Sequence, residues 1–160
     1  MEHKQGESNV NAFIAFLHHL AFIAIMVSLS AEMLLLAEPL SLQSARKIQK
    51  LDAAYGLAAG LILVLGLLRV MHFEKGPQYY LHSGPFIAKM TLFIVAGLVS
   101  IYPTVVFIKW GKSLKQGVVP DVSTQQRRRL RGIIHLELTL LALVILAAAM
   151  MAKGIGYFGA

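Results

Sequence analysis

Long apolar runs alternate with short polar connections four times along the chain, at about 12–36, 52–71, 86–108 and 133–152. Each run nears the ~20 residues that a helix needs to cross about 30 Å of hydrocarbon. In that solvent nothing replaces water for an unpaired backbone N–H or C=O, so the runs are expected as helices. Short connections between consecutive spans predict antiparallel neighbours. The fold expected is therefore an all-α, four-helix antiparallel transmembrane bundle, one integral membrane domain over 1–160.

Polar signals mark the ends of these elements. Ser41 is a candidate N-cap, and Leu42–Lys50 can run into the second span as one helix. Ser83 or Gly84 can cap the third, with Pro85 at its first position. Ser123-Thr124-Gln125-Gln126 has capping-box character, which starts the fourth helix near Thr124. Pro103 is expected to kink the third span. Gly56 and Gly60, four apart, predict close approach of two helix backbones.

Composition agrees, with 57% apolar and 14% charged residues. Cysteine is absent, which excludes disulfides, thiolate metal sites, iron–sulfur clusters and covalent c-type haem. Residues 1–11 lack a basic n-region, so the first span is expected to be retained as a helix rather than cleaved as a signal.

The net charge of +7 at first suggests nucleic acid, but its location excludes that partner. Arg46, Lys47 and Lys50, then Lys109, Lys112, Lys115, Arg127, Arg128, Arg129 and Arg131, all fall on one side of a four-span chain. The positive-inside rule makes that side cytoplasmic and both termini external. Arg127–Arg131 is suited to anionic headgroups of membrane lipids.

An ionisable side chain inside a membrane is by default a pointer to function. His18 and His19, Arg69 and His72, and Lys89 lie toward the external side. Glu32, Asp52, Tyr55, His135 and Glu137 lie toward the cytoplasmic side. At 100° per residue, four stripes are expected to face inward. They are His18-Ala21-Ile25-Ser28-Glu32, Asp52-Gly56-Ala59-Leu63-Gly66, Lys89-Phe93-Ala96-Ser100-Phe107 and His135-Thr139-Ala142-Leu146-Ala149.

Two chemistries suit this layout. A haem b takes axial ligands from helices and cations for its propionates. His18 or His19 would ligate the metal, Arg69 and Lys89 would hold carboxylates, and His72, Met150 and Met151 are candidates for a second ligand. Alternatively, protons or ions could pass from the His18 region to Glu32, Asp52, His135 and Glu137. Arg46 or Lys50 could instead satisfy Glu32 and Asp52 as an ordinary helix-end pair.

FLHHLAF, AEMLLL, DAAYGLAAGLILVLGLLRV, GPFIAKMTLF and RLRGIIHLELTLLAL together resemble a group of predicted bacterial four-helix integral membrane proteins, over nearly the whole chain. More distantly, the layout is similar to haem-dependent four-helix protoporphyrinogen IX oxidases and to copper-resistance D-type membrane proteins. The shared features are an early-helix His, matched by His19 or His18, and a Lys opening the third helix, matched by Lys89. The oxidases usually carry a His two residues before that Lys, where this chain has Ile87.

The function expected is a small bacterial inner-membrane redox protein binding haem b or a porphyrin, passing electrons between a tetrapyrrole and a quinone-like acceptor. His18, Glu32 and Asp52 are its candidate catalytic or proton-transfer groups. The alternatives are an accessory or scaffold subunit, as a homo-oligomer or with another protein, and a proton or ion conductor.

Overall fold

The computed structural model describes residues 2–73 and 76–159. Four long helices carry the chain: α1 (Glu2–Leu35), α2 (Leu42–Leu68), α4 (Gly84–Lys115) and α5 (Thr124–Ala152). A π-helical turn, Arg69–Phe73, extends α2, and a one-turn helix, α3 (Pro77–Leu81), precedes α4. All four long helices have the length and composition to cross a membrane. They pack antiparallel as a bundle, α1 chiefly against α2 and α4 chiefly against α5, with thinner seams between α2 and α4 and between α1 and α5. The protein is a multi-pass membrane protein with four spans.

Each helix outruns its apolar run because its ends carry their own signals. Ser41 accepts from the backbone N–H of Ser44, whose hydroxyl in turn accepts from Ser41, a reciprocal box that starts α2 ten residues before Asp52. Ser123 accepts from the Gln126 N–H and starts α5 at Thr124. Ser83 is the N-cap of α4 with Pro85 in its first turn. Pro103 is buried, and α4 runs on through it unbroken to Lys115. A bundle environment tolerates one lost backbone bond where neighbouring groups surround it.

Large apolar side chains such as Phe13, Ile23, Leu57, Leu98 and Leu146 point outward, as lipid requires. Inside, Ile25, Leu29, Ile48, Phe107, Leu130, Ile134 and Leu141 form the core. The expected inward stripes of α1 and α4 face the core: Ala21, Ile25, Ser28 and Glu32 are buried, as are Ala96, Ser100 and Phe107. The other two are rotated from expectation. On α2 the buried positions are Asp52, Tyr55, Ala58, Ile62 and Leu65, while Gly56 and Leu63 face outward. On α5 they are Ile134, Glu137, Leu141, Val144 and Ala147, so His135, Thr139 and Leu146 face away. Small residues drew the predicted stripes toward Gly56 and Ala142, whereas the bundle buries the bulkier aliphatic face.

Gly56 and Gly60 therefore do not bring backbones together, because a Cβ at either position would meet nothing within 4 Å. The close approach occurs at Gly66, where a Cβ would stand 3.2 Å from the Cε1 of His18.

The two ends of the bundle differ. At the basic end, Arg46 donates to the Leu114 carbonyl, the Gln49 amide donates to the Phe107 carbonyl, and Thr104 donates to Asp52, stitching α2 to α4. At the terminal end, the segment after α5 turns back through Gly154 and Gly156, both at positive φ. Gly84 donates to the Gly156 carbonyl and Phe158 to the His82 carbonyl, so this segment clasps the start of α4.

Candidate functional site

At the terminal end, His18 from α1 sits in a groove against α2 at Gly66, where a Cβ would stand in tight contact with the ring. Its Nδ1 is buried without a hydrogen-bond partner, although the ring approaches the Ile62 carbonyl. The π-helical turn re-aims the chain after Leu68, and both Arg69 and Val70 line the same space. Lys89 reaches it from the first turns of α4, its ammonium 5.4 Å from the Phe86 ring centroid. Tyr79 and Tyr80 add a wall, with Tyr79 stacked on Tyr157 and Tyr80 tilted against Phe86. Met151 and Ala152 complete a half-open cavity of about 250 Å³.

Three helices thus converge an imidazole, a guanidinium and an ammonium on one opening, over aromatic and apolar walls. Such a set recognises an anionic group on an otherwise apolar molecule.

The remaining expected site residues do not join this cavity. His19 is exposed on the outer face of α1, T-shaped to His18 at 6.1 Å, and its Nδ1 donates to the Ala15 carbonyl at 2.6 Å. The 100° step between adjacent helical residues separates the pair: one ring enters the bundle and the other meets lipid. His72 is exposed and lies outside the cavity lining, and Met150 faces outward while Met151 faces in. Among the described residues, no three His, Asp or Glu side chains stand close enough to hold a metal ion.

Glu32 and Asp52 lie elsewhere, in a second polar layer toward the basic end. Glu32 is fourteen residues beyond His18, about 21 Å along α1. Here α5 contributes Glu137, and α2 contributes Tyr55 beside it. Glu32 and Glu137 are 1% and 0% exposed, and Glu32 Oε1 and both Glu137 oxygens lack hydrogen-bond partners. The Tyr55 hydroxyl approaches Glu137 and Ser100 without making a hydrogen bond to that carboxyl. Asp52 accepts from Thr104 at 2.7 Å. Arg46, a candidate partner for these acids, is engaged instead with the Leu114 carbonyl. Three carboxyls thus share one buried layer, where an unpaired charge is costly.

Sequence reasoning gave Glu137 a place only in the alternative proton path and off the expected inward stripe, placed Tyr55 by depth alone, and passed over Thr104. Their signal was present: Glu137 is in phase with Leu130, Ile134 and Leu141, a stripe bulkier than the one built on His135. Tyr79 and Tyr80, not among the expected site residues, also line the terminal-end cavity.

A family model described as predicted membrane protein (DUF2214) matches residues 10–156, and the chain belongs to that family. No curated protein and no solved structure matches it.

Proposed function

We propose that this DUF2214 member binds a carboxylate-bearing tetrapyrrole, haem b or a porphyrin, at the terminal-end cavity and serves as a small redox protein of the bacterial inner membrane. The single observation behind this reading is the convergence of His18, Arg69 and Lys89 on one half-open cavity from α1, the α2 extension and α4. At about 250 Å³ the cavity is small for a ligand pocket, so it suits the carboxylate-bearing edge of a larger flat molecule. The orphaned Nδ1 of His18, the two cations and the stacked tyrosines fit that chemistry.

A bound haem would supply one-electron chemistry. The chain's own residues hold and orient it. Arg69 and Lys89 pair with carboxylates, and Arg69 has the fork geometry for two parallel hydrogen bonds. His18 supplies a nitrogen ligand or moves a proton at the outer edge. Tyr79, Tyr80 and Phe86 exclude water from one face. Glu32, Asp52 and Glu137 hold protons toward the opposite side. The positive-inside rule places the basic end in the cytoplasm and both termini outside. In the resemblance read from the sequence, His19 or His18 and Lys89 match residues of haem-dependent protoporphyrinogen IX oxidases, and Ile87 departs from them.

The test uses protoporphyrin IX and its dimethyl ester as probes with the purified, detergent-solubilised protein. Arg69→Gln and Lys89→Gln are expected each to weaken binding of the free acid roughly tenfold and leave the ester unchanged. Equal affinity for acid and ester in the unaltered protein would remove the carboxylate clamp and the reading with it.

A further inference from the structure

A second cavity, of about 370 Å³, lies between α2 and α4 and opens sideways toward lipid. Gly56, Ala59, Gly60 and Leu63 form one wall, and Phe93, Ala96, Gly97 and Ile101 the other. Its floor is made by Ile25 of α1 and Leu141 of α5, so it penetrates to the middle of the bundle. The Asp52–Thr104 hydrogen bond closes it toward the basic end, and Tyr55 and Ser100 flank that closure.

The occupant can be narrowed by chemistry. Among the described residues, no Lys, Arg or His lines the trough, which disfavours an anionic headgroup. Its polar end is recessed: Asp52, Tyr55 and Ser100 are each at most 9% exposed, beyond reach of a helix lying across the opening. A slender molecule can reach them. Thr104 donates to one Asp52 oxygen and the Ser100 hydroxyl to the Gly97 carbonyl. A neutral head therefore meets the Tyr55 hydroxyl, which can donate to a quinone carbonyl, and the second Asp52 oxygen, which can accept from the hydroxyl of the reduced quinol. Walls of glycine and alanine are flat, as a ring requires. Behind Tyr55 stands Glu137, wholly buried, with both oxygens unpartnered.

We propose that the α2–α4 trough binds a membrane-borne quinone-class amphiphile, its ring seated against Asp52, Tyr55 and Ser100 and its apolar tail leaving toward lipid past Gly60 and Gly97. The site is separate from the terminal-end cavity and stands whether or not a tetrapyrrole binds there.

Trp110, the only tryptophan in the chain, makes the test direct. It lies on α4 six residues beyond Thr104, about 9 Å along the helix, within quenching range of a quinone ring. Decyl-benzoquinone is titrated into tetrapyrrole-free protein in detergent while Trp110 fluorescence is followed. Saturable quenching is expected over the linear background of micelle partitioning. Gly60→Leu and Gly97→Leu, whose new side chains enter open space, should weaken it at least about tenfold. Tyr55→Phe should weaken it several-fold, and it keeps the test decisive if the leucine variants misfold. Quenching that stays linear, or that no variant alters, overturns the site. Displacement of the probe by decanol as readily as by a second quinone overturns head recognition. Loss of a dimer in Gly60→Leu, without saturable quenching in the parent, would assign the trough to a second copy of the chain.

Discussion

Single residues set the chemistry here through which way they face. His18 and His19 are neighbours in sequence, yet one enters a cavity and the other bonds its own helix at Ala15. Glu137 is the most consequential residue that the expected inward stripe of α5 left out. It is wholly buried with both oxygens unpartnered, so its polarity contributes nothing to packing. Glu137→Leu is therefore expected to raise the thermal stability of the detergent-solubilised protein, by about 1 kcal/mol, because a well-packed apolar side chain often outdoes a buried acid. Glu137→Lys should lower it by more than that. Thermal unfolding followed by circular dichroism separates these outcomes, and a destabilised leucine variant would mean that the carboxyl makes bonds essential to the fold.

Among elements, α2 and α4 depend on a few polar stitches because little apolar surface joins them. Gln49, Arg46 and Thr104 supply those stitches at the basic end, and the trough opens above them. Thr104→Val keeps the side-chain shape but strands Asp52, which should cost about 1–3 kcal/mol. Adding Asp52→Leu to Thr104→Val should restore most of that loss, since removing both partners leaves nothing unsatisfied. A double-mutant cycle on unfolding measures it, and additive losses would show that the bond carries no coupling. The starts of α2 and α5 were readable from the chain because caps are local: the Ser41 and Ser123 side chains each accept from a backbone N–H within one turn, and Ser83 with Pro85 marked the start of α4. Rotation of α2 and α5 was not. A helix in lipid has apolar residues all round, so hydrophobic periodicity carries little phase information, and size complementarity with neighbours decides. The same ambiguity put His135 rather than Glu137 on the expected inward stripe of α5.

Over the whole molecule, the bundle separates a cationic cavity at the terminal end from a carboxyl layer toward the basic end. The four spans and their antiparallel order were legible as four apolar runs with short connections. The cavity was legible only in part: His18, Arg69 and Lys89 were placed at one depth, but the tyrosine wall needed α3 and the returning chain after α5. The orientation proposed from the basic connections, with those connections inside, is open to a direct test. Since the chain lacks cysteine, single cysteines report it cleanly. Lys153→Cys should react with an impermeant maleimide in intact cells, and Gln116→Cys only after permeabilisation. The reverse pattern would place the carboxyl layer outside.

The absorption spectrum of protein purified from cells supplied with haem tests the central claim most directly. A Soret band that persists in His19→Ala and is lost or shifted in His18→Ala is the expected result. A spectrum without that band, or a band indifferent to His18, would contradict a tetrapyrrole held by this imidazole.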